Sequence, residues 1–204
     1  MLNNVVEFKE FTPASFIKTY KTKSLVFLQE LIMGINVGFY LCSETREIKV
    51  IKDPMVMDCS EFEEWVNRTI DPEDLCVGVV YSGVWLSQVH QLITDYVEDA
   101  YDRFYLYDLV SMPELKMYPA TNEAGLALVK KYEEKGLSLA PCWGVYTAMD
   151  FLDLKGKHVS FLKSGKPYGV IIKDYHYTEN NKHVFFIINN FTNGEETEDG
   201  KVSN

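Results

Sequence analysis

Apolar positions along the chain come in short clusters, with no single sustained period. Residues 24–31, 36–42 and 47–52 are brief, mostly apolar runs that predict strands, with Ser43-Glu44-Thr45 as the turn between the last two. Residues 76–85 form a longer, nearly unbroken apolar run, the pattern of a strand buried on both faces. Residues 103–110, rich in Tyr and Phe, predict another. The runs at 158–162, 168–175 and 183–189 close the series, separated by the turn sequences Gly165-Lys166-Pro167 and Glu179-Asn180-Asn181-Lys182.

Helical signals interrupt these runs. Thr12-Pro13 places a capping oxygen before a proline suited to the first helical position, predicting a helix to about Lys21. Ser60-Glu61-Phe62-Glu63 has capping-box spacing and opens a second helix. Residues 122–135 carry Leu126, Val129 and Tyr132 on one face and stop at Gly136. Residues 147–154 predict a short fourth helix. Strands therefore gather in groups, with helices at irregular intervals and no regular βαβ alternation. The predicted class is α+β with antiparallel sheets.

Composition narrows the picture. At 204 residues and 47% hydrophobic content, the chain suffices for a real core, since about 70% of the unfolded surface is buried at this size. One folded unit is expected over residues 1–192. The polar, acidic stretch from Asn193 to Gly200 predicts a disordered tail over 193–204. Thirty acidic against 20 basic residues give a net charge of −10, which opposes gripping long nucleic acid by bulk electrostatics. No apolar run approaches the ~18 residues of a membrane span. Met1-Leu2-Asn3-Asn4 lacks the basic start and apolar core of a secretion signal. Cys42, Cys59, Cys76 and Cys142 form no C-x-x-C pair and read as reduced core residues of a cytoplasmic protein.

Recurrent catalytic motifs are absent: no G-x-G-x-x-G, Walker loop, H-E-x-x-H or G-x-S-x-G occurs. Two His-x-Ser/Thr units, His158-Val159-Ser160 and His176-Tyr177-Thr178, leave open a phosphodiesterase working by acid–base catalysis. His183 lies near them in sequence without an obvious carboxylate of matched geometry, so no metal or cofactor is expected.

A stronger signal is an ordered series of segments. Residues 29–41, QELIMGINVGFYL, resemble the first motif of phage RNA ligases, roughly E-K-x-D/H-G-x-N followed by a strand. Val80-Tyr81-Ser82-Gly83-Val84-Trp85-Leu86 is similar to the family's G-E-W-L, and Phe104-Tyr105-Leu106-Tyr107-Asp108 to its aromatic-x-x-F-D. Gly136 to Pro141 resembles its g-l-x-x-x-P stretch, and Pro167 to Lys173 its E-G-V-V-I-K. Val184 to Asn189 falls where its closing K-x-K lies. The matches span residues 24–190 in the family's order.

The resemblance implies a nucleotidyltransferase fold of the RNA and DNA ligase adenylation type: antiparallel sheets around a central cleft that holds ATP, with flanking helices. In that family a lysine attacks the α-phosphate and becomes adenylylated, carboxylates bind metal or ribose, and the last lysines stabilise phosphate charge. This chain departs at those positions. Leu31 stands for the nucleophile, Met33 for the Asp/His, Val84 and Tyr168 for two carboxylates, and Ile187 and Asn189 for the closing lysines. Leucine has no lone pair to form a phosphoramidate, and Val and Tyr cannot replace metal-binding carboxylates at neutral pH. RNA ligases of this type also continue into a C-terminal domain, which is not expected here.

The resemblance therefore implies a pseudoenzyme. Its expected ligand is a nucleotide or nucleotide-derived small molecule, and no residue is assigned to catalysis or to metal. A phage protein that sequesters a nucleotide signal of host defence fits this picture. A protein-interaction module, motivated by the acidic charge, and the histidine phosphodiesterase are the alternatives. The cleft candidates are Glu30, Leu31, Asn36, Lys52, Val84, Tyr107, Asp108, Tyr168, Lys173 and Ile187. Tyr107 is either a base-stacking ring or a core tyrosine. Lys173 and Lys52 are candidate phosphate contacts. Glu30 and Asn36 would shape the cleft floor through hydrogen bonds. Leu31, Met33, Val84 and Ile187 either fill the old pocket as core or line an apolar one.

Overall fold

A computed structural model describes residues 6–10, 25–52, 58–89, 96–147, 160, 162–164, 167–179 and 182–189. Two largely antiparallel sheets lie face to face. The first runs in the order β1 (Val6–Glu10), β11 (Lys182–Asn189), β10 (Gly169–Glu179), β2 (Leu25–Glu30) and β9 (Cys142–Thr147). The second runs β4 (Ile48–Lys52), β3 (Ile35–Leu41), β5 (Val79–Leu86), β6 (Arg103–Ser111) and β7 (Lys116–Pro119), with β8 (Leu137–Leu139) paired parallel to β6. The chain crosses between the sheets at residues 31–34 and again at Ala140-Pro141. There Ala140 N–H donates to Leu106 C=O and Glu30 N–H to Pro141 C=O.

Side-chain alternation along each strand sorts residues onto faces. On β5, Val80, Val84 and Leu86 enter the inter-sheet cluster, while Tyr81 and Trp85 enter the cluster behind the second sheet. Both faces are buried, which is why the sequence of this strand shows no polar alternation. Helices α1 (Ser60–Thr69) and α2 (Glu123–Tyr132) cover the back of the second sheet with Phe62, Trp65, Val66, Leu128, Val129 and Tyr132. Aromatic rings dominate that layer: Phe39 stacks on Tyr81 at 5.2 Å, and Trp65 meets Trp85 at 5.4 Å. The far face of the first sheet buries Val26, Leu28, Trp143, Val170, Ile172, Val184, Phe186 and Ile188.

The predicted α+β class with antiparallel sheets holds, and several details shift. The second helix begins at Ser60, yet Ser60 is not its cap. Cys59 holds the capping position without a side-chain capping bond, and Asp58 accepts the Ser60 N–H instead. The third is capped by Asn122, which accepts from Gly125 N–H, and the turn after it ends on Gly136, as its sequence predicts, at φ 96°. Glycine meets that left-handed backbone without strain. Strands β1, β7, β8 and β9 carried no sequence signal. Thr147, expected to open a helix, is the last residue of β9. The strand run 76–85 starts at Val79.

The cysteine expectation holds for one position: Cys59 is buried, Cys42 half-buried, and Cys76 and Cys142 exposed, all four free. The predicted helix at 13–21, most of the one at 147–154, His158 and the acidic tail lie outside the described residues. Among the described residues no helix is long and apolar enough to cross a membrane.

Candidate functional site

The inter-sheet face converges on the crossing at residues 31–34. Leu31 N–H donates to Gly169 C=O at 2.9 Å, tying the segment to β10. Two tyrosines from elsewhere in the chain hold the next residues. The Tyr107 hydroxyl donates to Glu30 C=O at 2.5 Å and accepts from Ile32 N–H at 2.9 Å. The Tyr96 hydroxyl accepts from Met33 N–H at 2.7 Å. Gly34 then lets the backbone lie directly on β5, where a Cβ would come 2.5 Å from Val84 Cγ1 and 2.7 Å from Trp85 C=O.

Tyr107 reaches this position through a β-bulge. Ser82 pairs with Asp108 but Gly83 with Leu106, so Tyr107 is the extra residue on β6. The bulge turns two consecutive side chains, Tyr107 and Asp108, toward the first sheet. Asp108 Oδ2 accepts from Lys173 Nζ at 2.6 Å, and Oδ1 accepts from the Tyr175 hydroxyl at 2.7 Å. The Lys173 ammonium also lies 4.9 Å from the Tyr107 ring centroid and 5.1 Å from that of Phe185. Its side chain is 1% exposed. Burial pulls the Lys173 pKa down, against the opposing pull of Asp108.

Glu30 is fully buried at the end of β2. Ser160 Oγ donates to its Oε1, while Oε2 has no partner. Burial pushes its pKa from 4.5 up to about 7, with the Ser160 hydrogen bond opposing. Gln29, 1% exposed, likewise leaves Oε1 without a partner.

The structure gathers most of the sequence-derived candidates. Val84 and Tyr107 belong to the inter-sheet apolar cluster, and Leu31, Tyr168 and Ile187 pack against it, half-buried. Asp108 and Lys173 form the buried ion pair beneath them. Tyr107 is a core tyrosine: it is 5% exposed, with Lys173 over its ring. Lys173 is neither an exposed strand residue nor a free phosphate contact, because Asp108 holds it.

Three expectations need correction. Lys52 is exposed, opposite Val37 on the outward face of the second sheet, and pairs with Glu63 of α1 at 3.8 Å. Met33 is 39% exposed, so it is not core. Asn36 is exposed rather than buried in the cleft floor, on the strand position facing Val84. Of the histidine constellation, His158 lies outside the described residues, and the other members are placed as follows. Ser160 is committed to Glu30 and Leu162 N–H, His176 is exposed, and His183 is buried with Nε2 accepting from Met117 N–H. Tyr96 and Tyr175 had no sequence signal, and Ser160 was marked only within the His158-Val159-Ser160 unit; it meets Glu30 across 130 residues of chain.

Neither a family model nor a curated protein matches this sequence. Solved structures do. An archaeal ATP-dependent RNA ligase superposes over 90% of this chain and 47% of its own, at TM-score 0.64 and 14% identity. The fold is RNA-ligase-like. A Naegleria gruberi RNA ligase variant with ATP and Mn follows over 91% of this chain and 56% of its own, at TM-score 0.61 and 15% identity. The Naegleria enzyme with PPi aligns over 89% and 54%, at TM-score 0.60 and 15% identity. The chain thus spans about half the length of the ligase structures it matches.

The positions where the sequence resemblance puts reactive groups carry other side chains. Leu31, Val84, Tyr168 and Ile187 supply no carboxylate and no amine. Among the described residues no group of three or more His, Cys, Asp or Glu side chains is placed to hold a metal ion. The donor set of this cleft does not fit a divalent metal with bound ATP phosphates.

Proposed function

We propose that this chain is a catalytically silent RNA-ligase-like domain that binds a nucleotide or nucleotide-derived ligand without joining to it covalently. One observation carries the silent half of this reading. Leu31 stands where the sequence resemblance puts the nucleophile, while the lysine amine buried in the same cleft, Lys173, is bound by Asp108 and closed to solvent. A nucleophilic lysine needs a free lone pair within reach of the phosphorus, and neither residue offers one. The binding half is supported by the retained two-sheet architecture and by its neighbours, whose structures carry ATP, AMP or PPi.

A finer form of the proposal is a phage protein that sequesters a nucleotide signal of its host. Its support is the ordered sequence resemblance to phage RNA ligases, together with a cleft that has kept its architecture and lost its reactive groups.

Thermal shift against ATP, NAD and cyclic dinucleotides tests the binding reading, because a ligand that binds only the folded state raises the melting temperature. A saturable rise with at least one of them is expected, and no rise with any of them overturns it. Intact-mass measurement after incubation with ATP and magnesium tests the silent reading. The mass is expected to stay unchanged; a stable adenylyl adduct overturns it.

A further inference from the structure

The rim of the inter-sheet cluster restricts what the cleft can take. On the facing sides of the two sheets stand Leu31, Tyr40, Ile51, Tyr168 and Ile187, all half-buried, with Asn36 exposed beside them. Leu31, Tyr168 and Ile187 occupy positions where the family resemblance puts charged, phosphate-handling groups. Tyr168 stands edge-on to Tyr96 at 6.1 Å, and Tyr96 edge-on to Tyr101 at 6.1 Å, so aromatic rings line one end. Among the described residues, the two lysines that the sequence resemblance places at the phosphate are committed elsewhere. Lys173 is paired with Asp108 beneath the rim, and Lys52 is turned to the outer face with Glu63. The molecule as a whole carries −10.

Phosphate recognition needs clustered cations, helix N-termini or a metal. Among the described residues this rim offers aromatic and aliphatic surface with an exposed amide. Such a surface suits a planar, uncharged group, with a few polar contacts fixing orientation.

We infer that the cleft recognises the nucleoside part of its ligand, base and sugar, and holds it without metal while the phosphates stay in solvent. This rests on the binding reading above. Binding then owes nothing to magnesium or to polyphosphate. The net negative charge of the protein makes each added phosphate unfavourable.

Calorimetric titration of the intact chain with the four ribonucleosides and their mono- and triphosphates tests this, with magnesium or with EDTA. The best-bound nucleoside is expected to bind about tenfold more tightly than its triphosphate at low salt. That ratio should shrink as salt is raised, and EDTA should leave both affinities unchanged. A triphosphate that binds more tightly than its nucleoside, or binding that needs magnesium, overturns the proposal while leaving the binding reading intact. No binding by any compound overturns the binding reading itself. Ile187→Lys locates the site: a cation placed on the half-buried rim should move the preference toward the phosphorylated ligands. Leu31→Lys, at a second half-buried rim position, should do the same. An unchanged ratio in a variant that still binds nucleoside would place the ligand elsewhere and overturn the proposal.

Discussion

At the scale of single residues, the cleft is governed by hydroxyl groups on backbone and by one isolated carboxyl. Tyr107 bridges an acceptor and a donor on either side of Leu31, both inside the protein. Tyr107→Phe keeps the ring and removes both bonds. Buried polar groups left unpaired are costly, so a loss of about 1–3 kcal/mol is expected by urea denaturation. An unchanged midpoint would show that the clamp contributes nothing. Glu30 gives a pH-dependent counterpart. Its folded pKa of about 7 lies above the ordinary 4.5, so between those values the folded state holds the proton more tightly than the unfolded chain. Its contribution is full below pH 4.5 and is lost as pH rises through about 7. Glu30→Gln stays neutral throughout. It should match the parent near pH 4.5 and exceed it above pH 7 by up to about 3 kcal/mol. Chemical denaturation at both pH values checks this; a stability difference independent of pH would refute it.

At the scale of elements, the two sheets meet through an ion pair that a bulge creates. Without the extra residue in β6, Tyr107 and Asp108 would face opposite sides, and only one could reach β10. Asp108→Asn leaves the Lys173 ammonium buried without a counter-charge. A loss of about 3–5 kcal/mol is expected, since a broken buried pair retains its desolvation penalty. Adding Lys173→Met removes the stranded charge, while the introduced amide would still face the Tyr175 hydroxyl as an acceptor. The double variant should therefore recover most of the loss, measured as a double-mutant cycle; strictly additive losses would refute the coupling. The sequence revealed such elements unevenly. Strands buried on both faces, β5, β6, β10 and β11, stand out as apolar runs, and α2 announces itself through its helical periodicity and Gly136. Strands β1, β7, β8 and β9 are short, three to six residues long, and the last three are of mixed burial. They owe their pairing to neighbours rather than to their own composition. The candidate site divides in the same way. Leu31, Val84, Tyr107, Asp108, Tyr168, Lys173 and Ile187 were marked by their place in an ordered motif series. Tyr96, Ser160 and Tyr175 act through contacts spanning 63 to 130 residues, which no local pattern encodes.

At the scale of the whole molecule, the proposed silence of the cleft can be tested at position 31. The fold superposes on an archaeal ATP-dependent RNA ligase over nine-tenths of this chain at 14% identity, a likeness of fold. If the loss of the lysine alone had silenced the cleft, restoring it would restore covalent chemistry. The proposed silence implies a wider change. Val84 is packed against Gly34 and 4% exposed, where a carboxylate would stand in an apolar cluster. Tyr168 is half-buried beside Tyr96, and Tyr107 holds the backbone on both sides of position 31. Among the described residues, an amine introduced there would find no group of three or more His, Cys, Asp or Glu side chains placed to hold an activating metal. Leu31→Lys should therefore gain no adenylyl group when incubated with ATP and magnesium or manganese, as read by intact mass. Because position 31 is half-buried at the rim, the added ammonium reaches solvent and the variant should stay folded. Adenylylation of this single variant would show that the cleft had kept its transition-state machinery and lost only its nucleophile.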